Sequence, residues 1–400
     1  MSRILHVDPD TFLLDTVRLG RLVYESGFRP RHAISIWRGG TPVGLGVDAF
    51  FRSRGVFIHH CTITTASYSG VGQQGEVLVK NLEPLAQVVC PEDDLLIIDD
   101  VYESGRTIAR IVALLRQLAR ANTPRQIRVA TVHRKPGLAQ YRELPVLALH
   151  AVADDVWLDY PHELVDLVSD DDPADSRIAE KSGAVWEALR RAPGPPDALP
   201  PSDQGFLYVS PRELLLDAIR LGVQVAQDTS FRPTFMLALW PGGALAGLPV
   251  HEVYKYQLRK SGSAEPAPDH ISIDTWPARS SVDAVIADLS YLEQRVNRGD
   301  NLLIVDTTFR AGRLVNALVL RLKEVLRRNL DDERIRVACI YYHPDDRSTW
   351  TVRPQITAPH YFVKRVSQEV VSPASLHKLP DARRELQRLN PALAQVLYGA

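Results

Sequence analysis

Residues Leu95–Arg110 read LLIIDDVYESGRTIAR. Four apolar residues lead directly into the adjacent acids Asp99 and Asp100, and a loop with one glycine, Gly105, then leads into a basic segment with helical spacing. A short, partly β-branched apolar run of this kind indicates a buried strand. The stretch therefore predicts a strand that ends in two carboxylates, followed by a loop and by a helix that begins near Thr107.

The same rhythm recurs at Leu302–Leu322, LLIVDTTFRAGRLVNALVLRL, where Thr307 replaces the second acid. Each half of the chain also carries two further landmarks in the same order: FRPRHAISIWRGG (Phe28–Gly40) matches FRPTFMLALWPGG (Phe231–Gly243), and IRVA occurs at Ile127–Ala130 and at Ile335–Ala338. Chance similarity would not preserve the order and spacing of three landmarks. We interpret the pattern as the duplication of a whole domain.

A proline-rich segment, Ala192–Gly205 (APGPPDALPPSDQG), separates the two halves. Its prolines disfavour helices and central strands, so the sequence predicts a semi-stiff exposed linker. The predicted organisation has four parts: a first domain at 1–192, the linker at 193–205, a second domain at 206–380, and a helical tail at 381–400 that breaks at Pro391 and packs on either copy.

Within each copy, short apolar runs alternate with segments of helical spacing. This alternation predicts an α/β fold, with a mainly parallel sheet flanked by helices. Ligands of such sheets bind beyond the carboxyl ends of the strands. Three groups of polar residues fall at those ends: Arg38-Gly39-Gly40, Asp99-Asp100 and His133-Arg134-Lys135.

Composition limits the partners and the compartment. The formal net charge of the 400 residues is -1, and no basic, aromatic-interleaved patch stands out, so we expect neither nucleic acid nor an anionic membrane as a partner. No apolar run approaches the roughly 20 residues that span a bilayer, and the N-terminus has no secretory signal pattern. The three cysteines are widely spaced, without a CxxC pair. These features predict a soluble cytoplasmic protein.

The chemistry of the opening stretch suggests a sugar phosphate. Two adjacent carboxylates remain ionised together only where donors or a cation face them, and a ribose diol or a Mg²⁺-bound ligand supplies these. The exposed N–H groups of a helix start, with Gly105 allowing close approach and with the hydroxyls of Ser104 and Thr107, form a phosphate cradle. The alternative is an ordinary strand-to-helix turn capped by acids and hydroxyls.

This segment resembles the PRPP-binding signature of the type I phosphoribosyltransferases: an apolar strand, two acids, a short spacer, then acid–Thr/Ser–Gly–x–Thr. The resemblance implies two tandem domains of that fold, each with a small hood. It also implies transfer of a 5-phosphoribosyl group from PRPP to a purine-like base, with Mg²⁺ as cofactor and with release of pyrophosphate.

The resemblance assigns roles to residues of the signature. Asp99 and Asp100 would hold the ribose hydroxyls, and Glu103 would be the general base, where the family usually has aspartate. The residues assigned to PRPP and its phosphates are Arg38, Gly39, Val101, Tyr102, Ser104, Gly105, Arg106 and Thr107. Glu103 is one methylene longer than the usual aspartate, which leaves open which residue acts as the general base.

Other segments resemble the 6-oxopurine branch, especially xanthine–guanine phosphoribosyltransferase. Lys135 would contact the exocyclic oxygen of the purine, and Trp157 in a hood segment would stack on the base. Asp159 would join Asp99 and Asp100 near Mg²⁺, mostly through ligand or water. Ser67 and Tyr68 would belong to a mobile lid. The alternatives are a solvated surface lysine, a buried core tryptophan and a plain hairpin tip.

The second copy lacks most of these groups. Asp306-Thr307 keeps one acid, the Arg310–Leu314 loop has no general base, and His343 replaces the lysine. We therefore predict a copy without transferase activity. It would replace a partner subunit in an internal pseudo-dimer, with further homo-oligomers left open. The alternative is a regulatory site in which basic residues bind a phosphorylated ligand: Lys364, Arg365, Arg310 and Arg313.

Two further functions stay open at this point. One is biosynthetic transfer to an unusual, non-purine nucleophile. The other is a PRPP or nucleotide sensor with little catalysis.

Overall fold

The computed structural model describes residues 3–67, 77–164, 174–201, 203–275, 289–344 and 355–399. The chain has a mixed α/β fold in which mainly parallel sheets are flanked by helices, as the sequence predicts. It divides into two compact units. Unit 1 comprises Met1–Leu158 and Pro380–Ala400, and unit 2 comprises Asp159–Leu379.

The first part of unit 1 alternates strands and helices. Its elements are β1 (Arg3–His6), α1 (Pro9–Glu25), β2 (His32–Trp37), α2 (Gly40–Ser53), β3 (His59–Ser67), β4 (Val77–Lys80), α3 (Glu83–Val88), β5 (Asp94–Tyr102), α4 (Arg106–Ala119), β6 (Gln126–Arg134), β7 (Val146–Ala151) and β8 (Val156–Asp159).

Unit 2 repeats this alternation. Its elements are α5 (Ala174–Lys181), α6 (Gly183–Arg190), β9 (Asp197–Ala198), β10 (Phe206–Tyr208), α7 (Pro211–Gln227), β11 (Phe235–Trp240), α8 (Gly242–Lys260), β12 (Asp269–Asp274), α9 (Ser290–Arg295), β13 (Leu302–Phe309), α10 (Arg313–Leu326), β14 (Ile335–Tyr342), β15 (Tyr361–Arg365) and β16 (Glu369–Val371). The chain then returns to unit 1 with α11 (Ala382–Leu389) and α12 (Pro391–Tyr398).

The main sheet of unit 1 has the strand order β4-β3-β2-β5-β6-β7. All its pairs are parallel except β3 with β4. The apolar run Leu95–Ile98 is fully buried in the centre of the sheet, where a continuous apolar strand belongs because both faces are covered. The carboxyl ends of β2, β5 and β6 therefore meet at one edge of the sheet. A smaller sheet pairs β1 with β8.

The main sheet of unit 2 has the order β12-β11-β13-β14-β15-β9, and its registers repeat those of unit 1. In unit 1, His32 on β2 faces His59 on β3 and Leu95 on β5. In unit 2, Phe235 on β11 faces Asp269 on β12 and Leu302 on β13. The landmark residues of the two units thus occupy the same positions in a shared order of five strands, and the sixth strand differs, being β4 at one edge of the first sheet and β9 at the opposite edge of the second.

The helix boundaries have local causes that also recur. Asp8 accepts the N–H groups of Asp10 and Thr11 at the start of α1, and Ser210 forms a capping box with Glu213 at the start of α7. Helices α4 and α10 both begin after a glycine in the left-handed conformation, Gly105 (φ 76°) and Gly312 (φ 66°). Local sequence signals set these starts.

An ionic contact fastens the first helix of each copy to its sheet. In unit 1, Asp15 on α1 lies 2.9 Å from His150 Nε2 on β7 and 3.0 Å from Arg18. In unit 2, Asp217 on α7 lies 2.5 Å from Lys364 Nζ on β15, and Tyr341 donates a hydrogen bond to the same carboxylate at 3.1 Å. Lys364 is therefore engaged within the fold, which argues against its use for a phosphorylated ligand.

The compact units divide the chain differently from the sequence-based boundaries. Helix α6, inside the predicted domain 1–192, buries Val185 and Leu189 in a cluster with residues of α7 and α8, so it belongs to unit 2. The tail does form two helices with Pro391 at the start of α12, and α12 packs on α1 and α2 in unit 1. Both assignments follow from the helices on which the apolar faces of α6 and α12 pack.

The predicted linker 193–205 is exposed in its first part, but it is not wholly free of structure. Asp197 and Ala198 form β9, which pairs in parallel with Lys364 and Arg365 at the edge of the second sheet. Ala198 is exposed and Asp197 partly exposed in this edge strand, where a sheet edge offers backbone partners to an extended segment, so the exposed linker stays a prediction. Across the described part of the chain, no helix has the length and apolarity needed to span a membrane.

Candidate functional site

The turn after β2 packs directly against the acid pair. A methyl group placed on Gly39 would lie 2.1 Å from Asp100 Oδ2, and one placed on Gly40 would lie 2.2 Å from the carbonyl oxygen of Ile98. Gly39 has ordinary helical φ and ψ, so close approach and not backbone conformation requires glycine there. Arg38, which precedes this turn, is half-buried. The structure therefore brings Arg38 and Gly39 together with Asp100.

The acid pair lies inside β5 and does not end it. The strand continues through Val101 to Tyr102, so the predicted end at Asp99-Asp100 is wrong by two residues, because Val101 and Tyr102 still pair with β6. Asp100 is buried, and its Oδ1 accepts the N–H of Val101 at 2.7 Å; Asp99 Oδ1 accepts the N–H of Asp100 at 3.1 Å. A backbone amide thus donates to one oxygen of each carboxylate.

The loop after β5 is shaped as a helix entry. Gly105 is left-handed, and a methyl group on it would lie 2.3 Å from the hydroxyl oxygen of Tyr102. Helix α4 begins at Arg106, one residue before the predicted start, and the N–H of Arg106 donates to Ser104 Oγ at 3.4 Å. The carbonyl of Ser104 accepts the N–H groups of Gln140 and Tyr141, both at 3.1 Å. These bonds brace the loop at the start of α4, where the first N–H groups have no partner within the helix.

Lys135, which is assigned to the acceptor base, contacts Glu103, the assigned general base. Lys135 is 6% exposed, and its ammonium group forms an ion pair with the carboxylate of Glu103, whose side chain is 46% exposed. The N–H of Lys135 donates to the carbonyl of Tyr102 at 2.9 Å, which sets the position of the lysine beside the loop. A solvated surface lysine, the alternative interpretation, is ruled out by this burial. Sequence reasoning did not predict this ion pair. In the β5–β6 register Tyr102 lies opposite Arg134, and Glu103 and Lys135 are the next residues after the two strands.

Trp157 lies on the hood strand β8 and is 45% exposed. This exposure excludes the alternative of a buried core tryptophan and leaves a flat apolar face accessible. Sequence reasoning missed Asp154, which precedes the strand: its Oδ1 accepts the N–H of Gly137 at 3.2 Å, and a methyl group on Gly137 would lie 1.9 Å from its Oδ2. Asp154 thereby ties the turn after Lys135 to the hood.

A pair of neighbouring histidines, of which His133 is buried and His150 is exposed, also escaped the sequence reasoning. The rings of His133, on β6, and His150, on β7, lie 5.3 Å apart. Burial, with His150 as the next cause, lowers the pKa of His133 to about 4. His133 is therefore neutral near pH 7 and contributes no charge beside Lys135. A histidine inside a strand carries no signal of this pairing.

Asp159 is the last residue of β8 and already has an internal cationic partner. Its side chain is 1% exposed and lies 2.7 Å from Lys181 Nζ, and Lys181 also donates to the carbonyl of Glu163 at 2.6 Å. The carboxylate charge of Asp159 is thus offset by an ammonium group. Of the predicted lid, Ser67 is the last residue of β3, and Tyr68 lies outside the described residues.

The corresponding edge of unit 2 is closed by internal contacts. Thr307 donates its hydroxyl proton to the carbonyl of Gly242 at 2.5 Å, in the place where Asp100 faces Gly39. Arg310 forms an ion pair with Glu369, and Lys378 lies 2.7 Å from the same carboxylate. Burial raises the pKa of Asp306 to about 7. With Lys364 also engaged, two of the four basic residues suggested for a phosphorylated ligand have internal anionic partners.

The chain matches no protein-family model and no curated protein. Among solved structures, a hypothetical protein from Neisseria gonorrhoeae with bound ppGpp is similar at 21% identity and a TM-score of 0.35, over 45% of this chain and 97% of that chain. Helicobacter pylori xanthine-guanine-hypoxanthine phosphoribosyltransferase is similar at 20% identity and a TM-score of 0.32, over 41% and 96%. A purine phosphoribosyltransferase from Pyrococcus horikoshii Ot3 is similar at 14% and 0.29, over 42% and 93%. Similarity at this level settles nothing about activity.

Proposed function

We propose that unit 1 transfers the 5-phosphoribosyl group of PRPP to a purine-like base and releases pyrophosphate. The observation that carries the proposal is the arrangement around Asp100. Two carboxylates lie at the carboxyl edge of a parallel sheet, against the Gly39 turn on one side and just before the Gly105 helix entry on the other. Acceptors for a diol thus lie between two backbone sites for phosphate oxygens.

In this reaction the C1–O bond to pyrophosphate breaks, a C1–N bond to the base forms, and the proton of the ring nitrogen goes to a general base. Asp99 and Asp100 accept hydrogen bonds from the ribose hydroxyls and favour the positive charge that develops on the sugar. The amides after Gly105 hold the 5-phosphate, so a non-reacting part of the substrate orients the reacting carbon. Arg38 offers a guanidinium to the leaving pyrophosphate.

Mg²⁺ is the proposed cofactor. The carboxylate oxygens of Asp99 and Asp100 are the hard donors that suit this cation, directly or through water, and when bound it would supply positive charge for the leaving group. Asp159 fits this role less well, because Lys181 already offsets its charge. The metal assignment therefore rests on Asp99 and Asp100.

The acceptor base would be bound by Lys135, Glu103 and Trp157. Trp157 offers a stacking face, Lys135 donates to an exocyclic oxygen, and Glu103 takes the ring proton. Because Glu103 and Lys135 hold each other before the base binds, a base that presents a carbonyl oxygen and an N–H group on the same edge replaces both halves of their ion pair. This favours oxopurine-like heterocycles over amines without a carbonyl group.

The decisive assay is pyrophosphate release from PRPP and Mg²⁺ with hypoxanthine, guanine and xanthine as acceptors. In Glu103→Gln we expect turnover to fall roughly 100-fold or more, because general-base catalysis is lost, while PRPP affinity stays close to that of the wild type. Glu103→Asp, which keeps a carboxylate, is the matched control and should retain most of the activity. Normal turnover in Glu103→Gln would remove Glu103 from the mechanism.

A second candidate is a sensor that binds PRPP or a nucleotide without transfer. The Glu103–Lys135 ion pair favours it, because Glu103 already has an ammonium partner that it must give up before it can face a ring proton. Tight PRPP binding without pyrophosphate release from any of these bases supports the sensor. The same result is also expected of a transferase for a non-purine nucleophile, which a wider acceptor panel would identify.

We further propose that the two copies arose by tandem duplication and that the second copy has lost transferase activity. The shared strand order and registers support the first statement, and the internal closure around Thr307 and Arg310 supports the second. A cytoplasmic location would suit the free cysteines, Cys61, Cys90 and Cys339.

A further inference from the structure

Each half of the chain ends in a helical hairpin that packs in the compact unit formed mainly by the other half. The first hairpin, α5–α6, directly follows the first copy but is part of unit 2. The second hairpin, α11–α12, directly follows the second copy but is part of unit 1. Each compact unit is therefore completed by a segment of the other copy.

The first hairpin is bound through a narrow apolar face. Val185 and Leu189 on α6 are each 4% exposed and belong to one buried cluster with residues of α7 and α8: Ile219, Val223, Val253 and Tyr256. The opposite face of α6 carries exposed polar residues such as Glu187. This is the pattern of an amphipathic helix that docks on a pair of helices.

The second hairpin shows the same chemistry on α1 and α2. Leu393 and Leu397 on α12 are fully buried, whereas Ala392 and Gln395 on the same helix are exposed. Asn390 caps α12 by accepting the N–H of Leu393 at 3.0 Å. Helix α2 begins directly after the Gly39 turn, so the second hairpin supports the helix that carries part of the candidate site.

The two receiving surfaces are equivalent in construction. Helices α1 and α2 approach closely at Gly20, where an added methyl group would lie 2.8 Å from Phe50 Cβ. Helices α7 and α8 approach closely at Gly222, where the corresponding distance to Val253 Cβ is also 2.8 Å. Each copy thus forms a tightly crossed helix pair, and each pair is covered by a hairpin from the other copy.

We infer that the chain is a hairpin-exchanged pair of copies, in which the first helix pair of each copy is a recognition surface for the amphipathic hairpin of the other. The hairpin needs no covalent link to the unit it completes. A chain that is cut between α6 and β9 therefore stays together as one particle, and the site of unit 1 depends on residues 380–400. This inference is independent of the proposed activity.

The test is to cut the folded full-length protein. A specific protease sequence placed within residues 191–195, which are exposed, allows cleavage between the hairpin and the second copy. We expect the two fragments to co-elute in size-exclusion chromatography at the position of the uncut chain and to separate only in denaturant. Fragments that separate under native conditions would overturn the inference.

Matched variants show whether the hairpins hold the fragments. Leu393→Glu with Leu397→Glu places charges on the buried face of α12, and Ala392→Glu with Gln395→Glu places the same charges on its exposed face. After cleavage we expect the buried-face variant to dissociate at a concentration on the order of 100-fold higher, and the exposed-face variant to behave as the wild type. Equal association of the two would contradict the inference.

A folding control accompanies this test. In the uncut chain the linker keeps the hairpin at a high effective concentration, so the uncut variants should retain native circular dichroism. Leu397→Ala, a milder change, should give an intermediate dissociation concentration. If Leu397→Ala and the buried-face variant both leave the dissociation concentration unchanged, α12 does not hold the fragments together.

Discussion

Asp100 in unit 1 and Thr307 in unit 2 occupy equivalent positions, but their side chains have opposite hydrogen-bonding character. In unit 2, Thr307 can donate, and it satisfies the carbonyl of Gly242 at 2.5 Å. In unit 1, the equivalent Asp100 is a carboxylate that only accepts, and it faces the Gly39 turn without being able to make that bond. The threonine thus bonds within its own turn, whereas the carboxylate needs donors from other groups.

The charges around the two turns follow the same division. In unit 1 the ion pair beside the turn joins Glu103 and Lys135, both of which are assigned to the acceptor base. In unit 2 the arginine of the corresponding loop, Arg310, is paired with Glu369 from β16. A fold can therefore keep its registers and its glycine-led helix while internal partners take over the polar groups of its site.

The largest effect is expected when both acids of unit 1 lose their charge. Asp99→Asn with Asp100→Asn should weaken PRPP binding by about 4–5 kcal/mol, roughly 1000-fold or more, because a hydrogen-bonded charged contact is lost at two positions. Asp306→Asn in unit 2 is the matched control and should leave binding unchanged. Isothermal titration with PRPP and Mg²⁺ measures both. If Asp306→Asn weakened PRPP binding as much as the double substitution in unit 1, both units would bind PRPP.

A steric change should separate the two turns next. Gly39→Ala puts a methyl group 2.1 Å from Asp100 Oδ2 and forces the carboxylate to move, so we expect turnover to fall roughly 100-fold. Gly242→Ala meets Thr307 Oγ1 only at 3.2 Å and should be tolerated. Turnover and thermal unfolding of the two variants give the comparison. An active Gly39→Ala enzyme would mean that the position of Asp100 is not critical.

Restoring the acid in unit 2 should harm the fold without restoring a site. Thr307→Asp replaces a donor with an acceptor facing the Gly242 carbonyl, which should lower the free energy of unfolding by about 1–3 kcal/mol. Thr307→Val removes the hydrogen bond alone and should cost about 1 kcal/mol. Denaturant unfolding at pH 7 measures both changes. A stable Thr307→Asp variant that binds PRPP at a second site would refute the idea that unit 2 is closed.

The smallest effect concerns pH. Burial raises the pKa of Asp306 from 3.8 to about 7, so the folded chain binds one more proton than the unfolded chain between these values. Its contribution to stability is complete below about pH 4 and is lost as the pH rises to about 7. Asp306→Asn removes this dependence and should be more stable than the wild type at pH 8 by about 1 kcal/mol, a value discounted for the partial exposure of Asp306. The urea midpoints of both proteins at pH 5 and pH 8 test this. A wild-type midpoint that does not fall from pH 5 to pH 8, when compared with the midpoint of the variant, contradicts it.

Much of the fold was predictable because its signals are local. The apolar run Leu95–Ile98 indicated a buried strand, and Gly105 indicated the turn into α4. The repeated landmarks fall on strands that have the same order in both sheets, while the duplication they suggest stays a prediction. The end of β5 was misjudged by two residues because pairing with β6 extends it beyond the apolar run.

The site was predictable only in part. Asp100 and Gly39 each showed a functional pattern in the sequence, and the sheet brings them together as parallel strand ends must. The Glu103–Lys135 pair, the Asp154 contact with Gly137 and the Asp159–Lys181 ion pair were not foreseen. Each depends on the direction of a side chain across elements distant in the chain, which residue spacing does not specify.

The sequence by itself determined the alternation of strands and helices, the glycine-led helix starts and the position of the acids at the sheet edge, because hydrophobic period and backbone conformation act over a few residues. Only the tertiary structure decided that α6 completes the unit of the second copy and α12 that of the first. An amphipathic helix specifies that one face must be covered. Two similar helix pairs could each cover it, and the packing of the whole chain selects between them.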